Sequence, residues 1–499
     1  MKVSAAIPVL ALAGSASVMA MQLESSSPHQ NRLVHRTLHP RGPPSDDVLD
    51  INNFLAQHYS SGDKPVGYKD GDAGNQVVKA TSKKGDDDSQ TPQCKDTIFI
   101  GSAANNGTKE TGWTSLPQVT GFELKRDLVV DKKSGAVQPY YELAGRDPSK
   151  VKRVILVQPG LPRDSWKYTN LFRNALVCAA ANTTMGVKLE DVIIAGAAWL
   201  NEEDVTAGAS RKDDVIFNKG QWAFGALSKG PGDLTVSSYS VLDALTEKYF
   251  DRKAYPALNQ IYIAGHSLGG LMTQHYAMTR KPTRDEPNIN FWLGNPGSYV
   301  WPVDGRPATP ENSTCEDSYN TWPYGMQNKD EKDVITYRRS DTLEDVESVK
   351  EQYFSRNVVY ALGLEDFGNG DDHCEAHYQG ASHLERGQNY REALRSLPGG
   401  APESHSFDLV PDTSHQDYKM ISSPDALWHL FGEDLNVRRT TSRSKSGSGS
   451  DSGKSSNRVN GSGNSGNGGT SAGQPRFSRL SFGSLAGVAL AGALFVGMA

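Results

Sequence analysis

The strongest constraint on the fold of this 499-residue chain is a rhythm running from about residue 115 to 435. Short apolar runs alternate there with stretches of helical pattern. The runs are VKRVILVQPG ending at Gly160, EDVIIAGAAW at Trp199, NQIYIAG at Gly265, INFWLGN at Asn295, NVVYALGLED at Asp366 and HSFDLVPD at Asp412. Each has the length of a strand, and all but HSFDLVPD have the nearly continuous apolar character of one covered on both faces. Between the second and third, SSYSVLDALTEKYF sets Val241, Leu245 and Tyr249 at i, i+4 and i+8, one face of a helix. The alternation predicts an α/β domain with a mostly parallel sheet flanked by helices, opened by an antiparallel pair over 121–131 and 137–145. There is no internal repeat.

Within this rhythm lies QIYIAGHSLGGLMTQHY, which contains Gly265-His266-Ser267-Leu268-Gly269. With 49 glycines in the chain, a G-x-S-x-G pattern arises by chance roughly 0.5 times, so its surroundings decide. An apolar strand run precedes the serine and a helix-competent stretch follows it. Ser267 therefore falls on a strand-to-helix turn so sharp that Gly265 and Gly269 must lack side chains, with Gly270 letting helix and strand approach. Such a turn presents a hydroxyl at a helix N-terminus, where the Leu268 N–H can serve a developing oxyanion.

These residues resemble the α/β-hydrolase superfamily over about 115–432. SSYSVLDAL, AGHSLGG, GNPGSYVW, YNTWPYGM and CEAHYQGASHLERG further resemble a group of secreted fungal and bacterial α/β hydrolases with no settled substrate. The superfamily order of serine, acid and histidine, each on a loop after a strand, implies His415 as general base, just past the last strand. His405 would sit at the wrong end of that strand and His429 within the final helix. The acid is expected at Asp366, in Gly363-Leu364-Glu365-Asp366, with Asp371 and Asp372 as alternatives on the same loop. The resemblance places the second oxyanion donor in Gln158-Pro159-Gly160-Leu161-Pro162. There a glycine survives but the usual histidine does not, and the prolines have no N–H, leaving Leu161 or Gly160. A lid insertion is expected at about 301–352, carrying Trp301, Trp322 and Tyr324. Trp222 and Trp322 are candidates for substrate contact. His373 and His377, four apart, offer a rival metal reading; Cys374 between them reads instead as a disulfide partner, and the serine chemistry needs no metal or organic cofactor.

The two ends suggest where the protein works. MKVSAAIPVLALAGSASVMA, residues 1–20, reads as a secretory signal, and 21–114 is polar and lacks chemistry. A Ser/Gly-rich stalk over 436–473 leads to 474–499, whose apolar end LSFGSLAGVALAGALFVGMA carries no charge. Small residues, a polar spacer and an apolar tail match a glycosylphosphatidylinositol signal; a transmembrane anchor is the alternative. Both predict a tethered extracellular protein, in an arrangement that suits a fungal surface. Cys94, Cys178, Cys315 and Cys374 allow three pairings, of which Cys315 with Cys374, bracketing one insertion, and Cys94 with Cys178 is the expected one. Sequons at Asn106, Asn182 and Asn312 fit glycosylation. The net charge of −6 with no basic block points away from nucleic acid. The expectation is a surface-anchored serine esterase or lipase-like enzyme acting on a small-molecule or lipid ester. The alternatives are a non-catalytic binding protein on the same fold, or an acyltransferase or peptidase with the same triad.

Overall fold

The computed structural model describes residues 107–119, 121–308 and 314–436. Both termini, Cys94, Asn106 and Asn312 lie outside the described residues. Eight strands form the central sheet: β1 (Phe122–Asp131), β2 (Ala136–Leu143), β3 (Arg153–Gln158), β4 (Val192–Ala197), β5 (Gln260–His266), β6 (Ile289–Gly294), β7 (Asn357–Gly363) and β8 (His405–Val410). Their order across the sheet is β8-β7-β6-β5-β3-β4-β2-β1. Strands β3 to β8 pair in parallel, whereas β2 runs antiparallel to both β1 and β4. This is the expected α/β-hydrolase architecture.

The strand sequences explain which layers cover them. In β3, Val154 and Leu156 enter one core while Ile155 and Val157 enter the other, as the two-residue period of a strand requires. Helix α1 (Ser165–Ala181) covers the second face with Leu171, Phe172, Ala175 and Leu176. On the first face lie α2 (Ser238–Tyr249), α3 (Leu268–Thr279), α4 (Val346–Phe354) and α5 (His383–Arg395). Val241, Leu245 and Tyr249 of α2 are all buried in that core. The edge strand β1 instead buries only Phe122 and Leu128 and leaves its other positions half-buried or exposed, since one of its faces meets solvent. Among the described residues no helix is long and apolar enough to cross a membrane.

Beside the sheet, a disulfide joins Cys315 to Cys374 across 59 residues. Cys178 is also disulfide-bonded, and its expected partner Cys94 lies outside the described residues.

At the far end of the sheet, His429 is held between two carboxylates, Glu433 (Nδ1 to Oε2, 2.7 Å) and Asp408 (Nε2 to Oδ2, 3.5 Å). Burial alone would lower its pKa; the hydrogen bonds and charges of Asp408 and Glu433 prevail and push it up to about 10. A raised folded-state pKa gives stability that is complete below the unfolded value of about 6.5 and is lost as pH rises through the folded value. The melting temperature is expected to fall from pH 7 to pH 10.5, and to fall less in His429→Gln; parallel slopes in thermal melts would refute this account.

Candidate active site

The loops after β5, β6, β7 and β8 meet at the C-terminal edge of the sheet, where parallel α/β sheets place their sites. Ser267 follows β5 with φ 58° and ψ −125°, a strained conformation for a side chain-bearing residue. Its N–H donates to Gly294 O at 2.9 Å, which ties the turn to the end of β6. The turn closes only because its glycines are bare. A Cβ on Gly265 would lie 2.9 Å from Gly269 Cα, one on Gly269 would lie 2.7 Å from Pro159 O, and one on Gly270 would lie 2.6 Å from Gly294 O.

Asp366 stands on the loop after β7, 1% exposed. His415 Nδ1 donates to its Oδ2 at 2.7 Å. Asp371 and Asp372 are not on this histidine: Asp371 accepts from Ser298 Oγ (2.7 Å) and pairs with His373 (2.6 Å), while Asp372 is exposed. The loops of Asp366 and His415 are knitted together by main-chain bonds, with Glu365 N donating to Thr413 O at 2.8 Å. Asn295 is the clamp between them. This buried amide accepts from Gly363 N (2.7 Å) and donates to Ser414 O (3.0 Å), joining the end of β7 to the residue before His415.

A further residue enters that no sequence spacing indicated. His383, the first residue of α5, places Nδ1 3.2 Å from Asp366 Oδ1 and 3.0 Å from Gly368 O. One N–H cannot point at both; Gly368 O is the hydrogen-bonded acceptor and Asp366 the electrostatic neighbour. The His383 ring lies 4.2 Å from that of His415, whose other neighbour is the His266 ring at 4.6 Å. Burial would raise the Asp366 pKa, but His383 and His415 together hold it well below the usual carboxylate range. Burial lowers the pKa of both His266 and His383, which favours the neutral form of these flanking imidazoles.

On the oxyanion side, the Leu268 N–H opens α3, where first-turn amides have no carbonyl partner within the helix. Gly160 O accepts from Arg163 N at 3.0 Å, leaving Leu161 at an exposed loop tip, 49% accessible. Gly160 lies against Tyr168, whose hydroxyl would be 2.5 Å from a Cβ there. Pro159 stands directly before Gly160, where the usual histidine is missing, and the side chain of Gln158 before it accepts from Trp199 Nε1 at 3.2 Å.

The aromatic candidates separate. Trp222 is fully buried, stacked on Trp199 at 5.6 Å, so the expectation that it contacts substrate is corrected: it is core. Trp322 does line a cavity, and Phe224, two residues past Trp222, lines it as well. Trp301 is buried against Tyr390. Asn182 is partly exposed after α1, its Oδ1 accepting from Thr184. His373 clusters with Asp371 and Asp372, whereas His377 does not join them, so the two histidines form no common ligand set.

No protein-family model matches the chain, and no curated protein matches it. Among solved structures it is similar to poly(aspartic acid) hydrolase-1 from Sphingomonas sp. KT-1, at TM-score 0.41 and 18% identity over 59% of this chain and 93% of that one. It is also similar to LpqC, a poly(3-hydroxybutyrate) depolymerase from Bordetella parapertussis (TM-score 0.40, 18% identity, 62% and 90%). A third is the siderophore hydrolase EstA from Aspergillus nidulans (TM-score 0.31, 9% identity, 62% and 93%). Likenesses this distant add nothing to the strand order, and the functional reading rests on the residues alone.

Proposed function

We propose that this protein is a serine hydrolase that cleaves carboxylic esters through an acyl-enzyme. The observation that carries the reading is the His415–Asp366 hydrogen bond, on loops bound to the turn that holds Ser267 in a strained, positive-φ conformation. In the reaction, Ser267 Oγ adds to the ester carbonyl as its proton passes to His415 Nε2, and Asp366 stabilises the imidazolium. The N–H groups of Leu268 and Leu161, with Gly160 beside them, receive the oxyanion. Collapse of the tetrahedral intermediate expels the alcohol, which takes the proton from His415. Water, deprotonated by His415, then releases the acid and restores the serine. The triad serves a small-molecule or lipid ester without a cofactor.

The test is covalent labelling with a fluorophosphonate probe. Wild-type protein is expected to label stoichiometrically and Ser267→Ala not at all, with equal melting temperatures. A folded wild type that stays unlabelled would favour the non-catalytic reading. The terminal segments support a secreted protein tethered to the cell surface by a lipid anchor. Release of the protein from cells by a phosphatidylinositol-specific phospholipase is the expected outcome, and retention would leave the transmembrane alternative.

A further inference from the structure

A cavity of about 420 Å3 opens beside the acid loop, within the usual range for small-molecule sites of about 300–1,000 Å3. Its lining includes none of Ser267, Asp366 and His415, so it is distinct from the triad. Phe224 and Trp322 form one wall, from segments far apart in sequence. Both stand edge-on to the buried His275 ring, at 5.6 and 5.3 Å, and Trp322 is also braced against Tyr239 at 6.4 Å. The two rings are therefore fixed in place without being fully buried. Rigid aromatic faces of this kind hold flat apolar surfaces at little entropic cost.

The rest of the lining is mixed, with Ala226, Pro323, Val334 and Ile335 beside polar and charged side chains, and this mixture decides between ligands. Lys332 lies 3.7 Å from Asp330, Arg339 lies 3.8 Å from Glu331, and His373 pairs with Asp371 at 2.6 Å, while Glu375 accepts from Ser318. Each basic group thus already has a carboxylate beside it, which leaves little for a free ion to pair with. A long acyl chain fits poorly as well: it would strip water from Arg339, Glu375 and Gln221 and return no hydrogen bond. Arg339 Nε is already shielded from solvent with no partner. A ligand with apolar C–H faces and a rim of hydroxyls satisfies both kinds of wall. We infer that this cavity is a saccharide subsite, taking one or two neutral sugar units that carry the scissile ester. The link to the ester rests on the hydrolase reading above. The wall bearing His373 and Glu375 continues directly from the Asp366 loop, and the Cys315–Cys374 disulfide secures it to the segment carrying Trp322.

Binding can be read without chemistry. Cellobiose, xylobiose and N,N′-diacetylchitobiose are titrated into Ser267→Ala protein, followed by calorimetry and tryptophan fluorescence, with benzoate and hexanoate as anionic and acyl probes. Saturable binding of at least one disaccharide is expected, weakened about tenfold or more by Trp322→Ala and, with less structural risk at a half-exposed site, by Arg339→Gln. Absence of disaccharide binding, tighter binding of benzoate or hexanoate, or unaltered affinity in a folded Arg339→Gln would each overturn the assignment. The two readings fail separately: sugar binding without fluorophosphonate labelling removes the hydrolase, and labelling without sugar binding removes the subsite.

Discussion

Asp366→Asn is expected to lower kcat on any ester substrate by about 10^4-fold with little change in KM, because the imidazolium at His415 would lose its counter-charge and its enforced tautomer. Asp371→Asn, on the same loop, should cost less than about tenfold, since Asp371 serves Ser298 and His373 instead. Steady-state kinetics on p-nitrophenyl acetate distinguishes them, and equal losses would remove Asp366 from its place. His383→Gln tests the second imidazole. It retains a donor for Gly368 O but loses the ring against His415, and kcat is expected to fall about tenfold with KM unchanged. A His383→Gln enzyme with wild-type kcat would make that histidine mere packing.

The second large effect is structural. Gly269→Ala would drive a methyl group into the main-chain carbonyls of Gln158 and Pro159, neither of which is a flexible side-chain end. Overpacking of this kind costs about 3 kcal/mol, equivalent to a fall of roughly 4–5 °C in melting temperature for a domain of about 320 residues. The same displacement spreads the Ser267 turn from the Leu161 loop, so that activity should drop at least about 100-fold. Gly305→Ala is the control, since nothing lies within 4 Å of its added carbon. Comparable melting curves for the two variants would show that the turn is not close-packed.

Much of this arrangement was legible in the sequence because its signals are local. The apolar runs ending near Gly160, Trp199, Gly265, Asn295, Asp366 and Asp412 became β3 to β8, since continuous apolar runs of strand length have few other ways to be buried. Ser267, Asp366 and His415 could be located because each follows such a run. His383 could not: it opens a helix, and only the packing of α5 beside β7 carries it to Asp366. Trp222 and Phe224 show the same limit at shorter range. Two aromatics on one turn look equivalent in sequence, yet Trp222 faces Trp199 in the core and Phe224 the cavity. Which side of a loop meets solvent is set by the layers around it, and those layers come from distant parts of the chain.

Asn295 gives the protein a division of labour. Its amide locks the end of β7 and the residue before His415 using strand ends alone, while the cavity draws Trp322, Pro323 and Tyr324 from the chain that loops out between β6 and β7. The two are not independent, because His373 and Glu375, on the chain that continues from Asp366, line the same cavity. The looped-out segment is not free-standing, since Trp301, Ile335, Tyr337 and Val349 enter the main core and Cys315 is bonded to Cys374, so any exchange there, in a lineage or by design, would have to spare those residues and vary only the positions that face the cavity.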